Sequence, residues 1–389
     1  PLVSDIWDKY QTHSIPDGVA WSDKAVPKEL QRRLNYNFTR MLNQEPADFH
    51  PGSNRQVRDL VHPSLFPYVK GLSKTNPKQL EGLPVRLNCR EEYTDYERTE
   101  YLKELDFWKR PYEGSKYQWL PTPFEVSMKG EVKIQSYINN LDETKYASLY
   151  RCLAELFSTV LPLLESVCGY VDDLHLYADT LDDIYYTVDK RELAKETPAI
   201  RLRGRELQVI TKMVEYQIDP EKGLEGVWHV EGMSHENILA TAVYVLKRDE
   251  SVAGGEIKYK REYTLSEATR TLFGMGQYPP DPFYSVVEKG LIPNGALSTP
   301  EGRLFVFPNS HIHKLSKMTA NCLNCTAKRR VIVFWLVHPD APIISTREVP
   351  PQQKIIGKRK AKEIRLKLMN ERKRHKQSLN PRSVSLCEH

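Results

Sequence analysis

The order of hydrophobic and polar positions divides the chain into a helical part and an alternating part. Leu149, Cys152, Leu153, Leu156, Val160, Leu163, Leu164 and Val167 recur every three or four residues. That is the spacing of one buried helical face, and it predicts a helix over 143–169 that Pro162 would kink. Residues 28–42 carry a shorter series of the same period. From about residue 200 the period becomes two, which predicts strands at 207–214, 238–246, 254–259, 302–308 and 329–337. Two earlier segments, 124–127 and 132–138, alternate as well. Short strands separated by Gly and Pro turns predict a sandwich or a barrel. Residues 1–75 read as helices and loops, broken at Pro46, Pro51 and Pro63. Residues 76–125, rich in Tyr and Trp, read as a long ordered loop with a short helix around 93–105, and 267–300 reads as a proline-containing insertion. Both are candidate lids over a cleft. The expected organisation is α+β, with an N-terminal helical and loop cap over 1–125, a β core with its supporting helix over 126–350, and a basic helix and tail over 351–389.

Composition refines this reading. A chain of 389 residues with 40% hydrophobic and 28% charged residues can bury a sizeable core. No apolar run approaches the ~18 residues that span a bilayer, so no membrane association is expected. Pro1 to Asp5 shows no leader pattern. Six cysteines, at 89, 152, 168, 322, 325 and 387, are too sparse for a disulfide framework and suit a reducing compartment. A cytoplasmic location is expected, with nuclear entry as the alternative. Cys322-x-x-Cys325 is half of a zinc site, and no second such pair exists. The formal charge of +5 is unevenly placed: residues 354–376 hold eleven Lys/Arg against Glu363 and Glu371, a local +9, so the body is about −4. This basic segment is either a solvated amphipathic helix laying Ile364, Leu366, Leu368 and Met369 on the body, or an import signal or nucleic-acid contact. Aromatics are not interleaved with its basic residues, which disfavours nucleic acid.

The chemistry concentrates in Trp228-His229-Val230-Glu231-Gly232. In an extended segment residues two apart share a face, so His229 and Glu231 present an imidazole and a carboxylate together. His313, 84 residues on, would add a second imidazole. Two histidines and one carboxylate form the facial triad that leaves three positions of an octahedral iron(II) open. A lone His-x-Glu occurs by chance in many proteins. Here it is followed by a Gly254-Gly255 strand, by a Gly302–Pro308 strand running into His313, and by Arg329 opening a later strand. His311 competes with His313, and Arg330 with Arg329, since adjacent strand residues face opposite sides. His235 reads as a surface or supporting histidine. Lys212 and Tyr244 could each hydrogen-bond a co-substrate, although the plainer reading of both is a core-edge residue.

This order resembles the iron(II)- and 2-oxoglutarate-dependent oxygenases. The segments Trp228–Met233, Ser136–Leu141, Trp119-Leu120-Pro121 and Val349–Gln352 are similar to a poorly characterised, mainly fungal branch of them, over about residues 60–372. The resemblance implies a double-stranded β-helix (jelly-roll) core with supporting helices. It implies that His229, Glu231 and His313 ligate Fe(II). It also implies that Arg329, 16 residues past His313, grips the distal carboxylate of 2-oxoglutarate. The family's commoner Asp is Glu231 here, and Ile312 and Leu315 replace the usual residues beside the distal histidine. The implied activity is hydroxylation of a C–H bond using O2, with release of succinate and CO2. The implied substrate is a small molecule, an amino acid or a peptide. The alternatives are an inactive jelly-roll binding protein, or a hydroxylase or demethylase directed at protein or nucleic acid through the basic tail. Oligomeric state is not legible.

Overall fold

The computed structural model describes residues 18–75, 115–180, 200–261, 292–321 and 326–375. Its largest sheet contains β1 (Ala20–Ser22), β2 (Val57–Val61), β5 (Thr122–Val126), β6 (Val132–Ile134), β7 (Arg205–Ile218), β8 (Ile238–Arg248), β12 (Leu304–Pro308) and β15 (Ala327–Val337). The order is β1-β12-β8-β15-β7-β5-β6, with β2 also pairing β7. A three-stranded sheet joins β11 (Ile292–Leu297), β10 (Ile257–Arg261) and β13 (Ile312–Leu315), while β9 (Val252–Gly254) pairs β14 (Met318–Ala320). A short ribbon pairs β3 (Tyr68–Val69) with β4 (Tyr117–Gln118).

From β7 onward the chain shuttles between the two layers. The segment after β7 bridges β13 at His229, β8 returns to the large sheet, β9, β10 and β11 lie in the two smaller sheets, β12 returns, β13 and β14 pair with β10 and β9, and β15 closes between β7 and β8. This antiparallel order is a double-stranded β-helix, and the fold class is α+β. Alternation along each strand assigns the two faces. On β7 and β15, Ile210, Val214, Tyr216, Val331, Val333 and Trp335 face the interior between the sheets. Val209, Met213, Ile332, Phe334 and Leu336 face the helices.

The helical layer consists of α1 (Lys28–Gln44) and α2 (Ala147–Thr180). Leu30, Leu34 and Phe38 of α1 and Leu149, Leu153, Phe157, Val160 and Leu164 of α2 are buried against the sheet. Each such side chain contributes roughly 1.5–3 kcal/mol of burial. Phe157 meets Phe124 and Phe334 edge-on at 5.1 and 5.4 Å. Contrary to the expectation that no segment could span a bilayer, part of α2, Ala147–Gly169, is long and apolar enough to cross a membrane by composition; its apolar face packs into the core. The helix starts after the turn at Asp142–Tyr146 and continues beyond the expected 169 because Gly169 alone does not break it. After β15 come the short α3 (Gln352–Ile355) and α4 (Lys358–His375).

Several elements differ from expectation. Strand 254–259 is split into β9 and β10: Gly254 and Gly255 have φ of +70° and +80°. A Cβ on Gly254 would fall 2.1 Å from the Lys317 carbonyl oxygen, so only glycine permits this close crossing. Part of the 267–300 insertion is strand β11, whose Pro293 is tolerated because β11 is an edge strand and bulges at Asn294, the extra residue between the partners of Tyr259 and Lys260. Residues 1–75, expected to be helical and looped, contribute β1, β2 and β3. The expected helix at 93–105, residues 267–291, Cys322 and Cys325, and the last residues of the tail lie outside the described residues.

Arg330 shows how strand alternation assigns two adjacent cations. It faces the helices, where its guanidinium meets Glu215 at 2.9 Å, Asn35 at 2.7 Å and Thr39 at 2.8 Å. Arg330→Ala is expected to lower stability by about 3–5 kcal/mol, because it strands the buried Glu215 carboxylate. Urea unfolding of the full chain measures this, and an unchanged midpoint would refute it.

Candidate metal centre

His229 and His313 are brought together by main-chain bonds. The His229 N–H donates to the His313 carbonyl at 3.0 Å, and the His313 N–H donates to the His229 carbonyl at 2.9 Å. Such a reciprocal bridge aligns two side chains on one face, and the ring centroids lie 4.3 Å apart. Glu231, two residues on, shares that face. Its Oε1 lies 3.7 Å from His229 Nε2 and 3.4 Å from His313 Nε2. All three ligand atoms fall within 4.8 Å of one another, and all three residues are buried. Asn309 secures the carboxylate's backbone from both sides, accepting from the Glu231 N–H at 2.9 Å and donating to its carbonyl at 3.0 Å.

The protonation pattern decides what this group can hold. His229 Nδ1 lies 2.7 Å from the Val227 carbonyl, and His313 Nδ1 lies 3.1 Å from the His311 carbonyl. A carbonyl oxygen only accepts, so both Nδ1 atoms carry hydrogen. In the neutral rings each Nε2 is then a bare lone pair aimed at Glu231. Burial acts to raise the Glu231 carboxyl, but hydrogen bonds from the two histidines and their charge when protonated outweigh it and hold the group well below its ordinary value. Burial and then the adjacent His229 push the His313 imidazolium down, against the pull of Glu231. His229 Nε2 is buried and makes no hydrogen bond among the described residues. Two lone pairs and an ionised carboxylate converging in a dry site suit a divalent cation with nitrogen and oxygen ligands, and the backbone carbonyls fix each ring's tautomer.

A second buried group, His50, Asp59 and His62, also brings three ligand atoms within 4.8 Å, but it fits a cation poorly. The Ser64 N–H donates to His62 Nδ1 at 3.1 Å, so the neutral ring carries its proton on Nε2 and has no lone pair to offer there. Arg365 lies 3.5 Å from Asp59 and already supplies positive charge.

Arg329 faces the interior of the β-helix, opposite Tyr216 in register, and is 2% exposed. Among the described residues its Nη1 meets only the Met318 sulfur, at 3.4 Å, and its Nε makes no hydrogen bond, while its guanidinium carbon stands 5.7 Å from the Tyr216 ring centroid. Among the described residues no carboxylate pairs with it. Burial lowers its pKa to about 10, so it remains charged at neutral pH. A buried, uncompensated guanidinium is costly and calls for an anion. Lys212 lies on the same face of β7 as Val214 and Tyr216. Burial pushes the Tyr216 hydroxyl up, and the strand register sets Tyr216 opposite Arg329 on that same face.

The remaining candidates are placed elsewhere. Tyr244 belongs to the helix-facing core with Ala240, Ala242 and Leu246, so the structure does not bring it to the interior group. The expectation of a co-substrate contact is corrected by the parity of β8. His311 pairs with Asn294 at 2.9 Å and stands outside the three-residue group. His235 Nε2 lies 2.9 Å from the Tyr117 carbonyl. Tyr216 and Asn309 are the two residues of this region that no sequence motif singles out. Tyr216 was legible from the alternation Lys212, Val214, Tyr216; nothing local marked Asn309.

No curated protein matches this chain. Among solved structures, a prolyl-4-hydroxylase of Pseudomonas putida is 10% identical, with 86% of this chain and 98% of that one covered at a TM-score of 0.31. A Trichoplax adhaerens prolyl hydroxylase, in complex with a hypoxia inducible factor oxygen degradation domain peptide fragment, is 10% identical over 87% of this chain and 91% of that one, at 0.30. IDO from Bacillus thuringiensis is 13% identical over 38% of this chain, at 0.23, and the chain spans 53% of its length. Superpositions this loose do not define a fold, which stands on the strand order alone. The model of the family described as "Protein of unknown function (DUF4246)" matches residues 6–199 and 175–360, most of the length, and the chain belongs to that family.

Proposed function

We propose that this protein is an iron(II)- and 2-oxoglutarate-dependent oxygenase. His229, Glu231 and His313 would hold the metal through two Nε2 atoms and a carboxylate oxygen. The observation that carries the reading is Arg329: a buried cation with no carboxylate partner among the described residues, inside the same β-helix as a three-donor group. A dicarboxylic keto acid answers both demands, because its keto-acid end chelates the metal while its distal carboxylate neutralises the guanidinium. Iron bound here would supply oxidative decarboxylation of 2-oxoglutarate to succinate and CO2, coupled to hydroxylation of a C–H bond.

The chain's own contribution is positional. The Val227 and His311 carbonyls fix which nitrogen of each histidine faces inward. Asn309 keeps the Glu231 backbone from turning. Phe307, with its ring 4.7 Å from His313, and Tyr259 at 6.4 Å wall the site with aromatic surface and exclude water. The substrate is taken to be a small molecule or a peptide.

Anaerobic titration of the iron(II)-loaded full chain with 2-oxoglutarate tests the reading. The weak visible charge-transfer band of the chelate is expected to grow and saturate. Folded, iron-replete protein that develops no such band would overturn it.

A further inference from the structure

The basic C-terminal helix α4 is not held by its apolar residues alone. Ala361, Ile364, Leu368 and Met369 are buried, while Leu366, expected on the same face, points outward. Two arginines on the buried stripe, Arg365 and Arg372, are 3% and 2% exposed. Arg365 meets Asp48 at 3.0 Å. Arg372 reaches further: its Nη2 lies 2.6 Å from Glu236 Oε1, and its guanidinium lies 4.0 Å over the Trp119 ring.

Glu236 is 0% exposed and organises the turn that follows Glu231. Its Oε2 accepts the Met233 N–H at 2.8 Å, and its Oε1 also accepts the Trp119 N–H at 2.6 Å. Gly232, at φ +62°, folds the chain back over this carboxylate. A Cβ there would fall 2.8 Å from Glu236 Oε2 and 2.5 Å from Ile238 Cδ1. The path from Glu231 to Glu236 is thus wrapped around one buried negative charge, and Arg372 is the cation paired with it. A buried carboxylate stripped of its cation would draw in water, and the turn built on it would loosen.

We infer that Arg372 is a positioning residue for the metal centre: by neutralising Glu236 it fixes the 232–236 turn, and through that turn the aim of the Glu231 carboxylate. The inference rests on the reading of His229, Glu231 and His313 as metal ligands. It makes α4 part of the apparatus that presents Glu231, although no atom of α4 belongs to the triad.

The test is a titration of the full chain with Co(II), whose visible absorption reports its coordination. Arg372→Ala is expected to weaken Co(II) binding by about 10–100-fold, the range for outer partners of metal ligands, and to alter the absorption as Glu231 shifts. Arg372→Lys keeps a cation beside Glu236 but not the planar fork, and is expected to retain much of the affinity that Arg372→Ala loses, a graded response to charge that a merely structural helix would not produce. If Arg372→Ala does not fold, Arg372→Lys replaces it, since it keeps the charge but not the planar fork; a smaller loss with the same spectral change is then expected. Wild-type affinity and absorption in a folded Arg372 variant, or an equal loss in Arg372→Lys and Arg372→Ala, overturns the inference while the metal centre stands. Failure of the wild-type chain to bind Co(II) overturns both.

Discussion

Replacing His313 with alanine is expected to reduce iron(II) affinity by more than the ~10–100-fold that loss of an outer partner costs. The substitution takes one of three ligand atoms and leaves Glu231 and His229 with too few donors to hold a labile divalent ion against water. The fold should survive, because the bridge between residues 229 and 313 is made by main-chain N–H and carbonyl groups that alanine retains. The cost to the metal-free protein is confined to a small cavity beside Phe307 and the lost donor to the His311 carbonyl, about 1–3 kcal/mol. Anaerobic calorimetry with iron(II), alongside thermal unfolding with and without metal, separates the two effects. Wild-type protein should gain about 2.7 kcal/mol of stability at a free metal concentration near a hundred times its Kd, and His313→Ala should gain almost none. Equal metal-induced stabilisation of the two proteins would remove His313 from the site.

Replacing Arg329 with methionine is expected to have opposite effects on ligand binding and on stability. If the guanidinium grips the distal carboxylate of 2-oxoglutarate, its loss should cost about 3 kcal/mol or more of co-substrate binding, more than a hundredfold in concentration requirement. The metal-free protein should be as stable as wild type or more so, because a desolvated cation whose one hydrogen-bond acceptor among the described residues is a thioether gives way to an apolar side chain of similar length beside Met318 and Tyr216. Iron(II) affinity should be unchanged. Titration with 2-oxoglutarate and urea unfolding read the two effects independently. Destabilisation of the metal-free protein by several kcal/mol would show that Arg329 is a structural cation, and unaltered 2-oxoglutarate binding would exclude it from the co-substrate site. The contrast with Arg330 is instructive: one position along β15 the same side-chain type has Glu215, Asn35 and Thr39 around it, and its removal should cost stability instead.

The chain's own pattern determined a good deal. Period-two alternation placed most of β7, β8, β12 and β15, and the three-and-four spacing placed the buried face of α2, because these signals record which neighbouring side chains must leave water together. The pairing of His229 with Glu231 was legible for the same local reason. Tertiary structure alone decided what depends on partners distant in sequence. His313 rather than His311 meets Glu231 because β13 bridges the segment after β7, a contact across 84 positions that only the sheet order specifies. Tyr244 left the candidate site because the parity of β8 is set by its registers with β12 and β15. Pro293 and Gly295 disguised β11 as loop, since an edge strand tolerates what a central strand would not. The two arginines of α4 read as part of a solvated basic run, although 361, 364, 365, 368, 369 and 372 already trace one helical stripe. Whether a charged side chain on such a stripe can be buried depends on whether the fold brings it a counter-ion, and Glu236 lies 136 residues away.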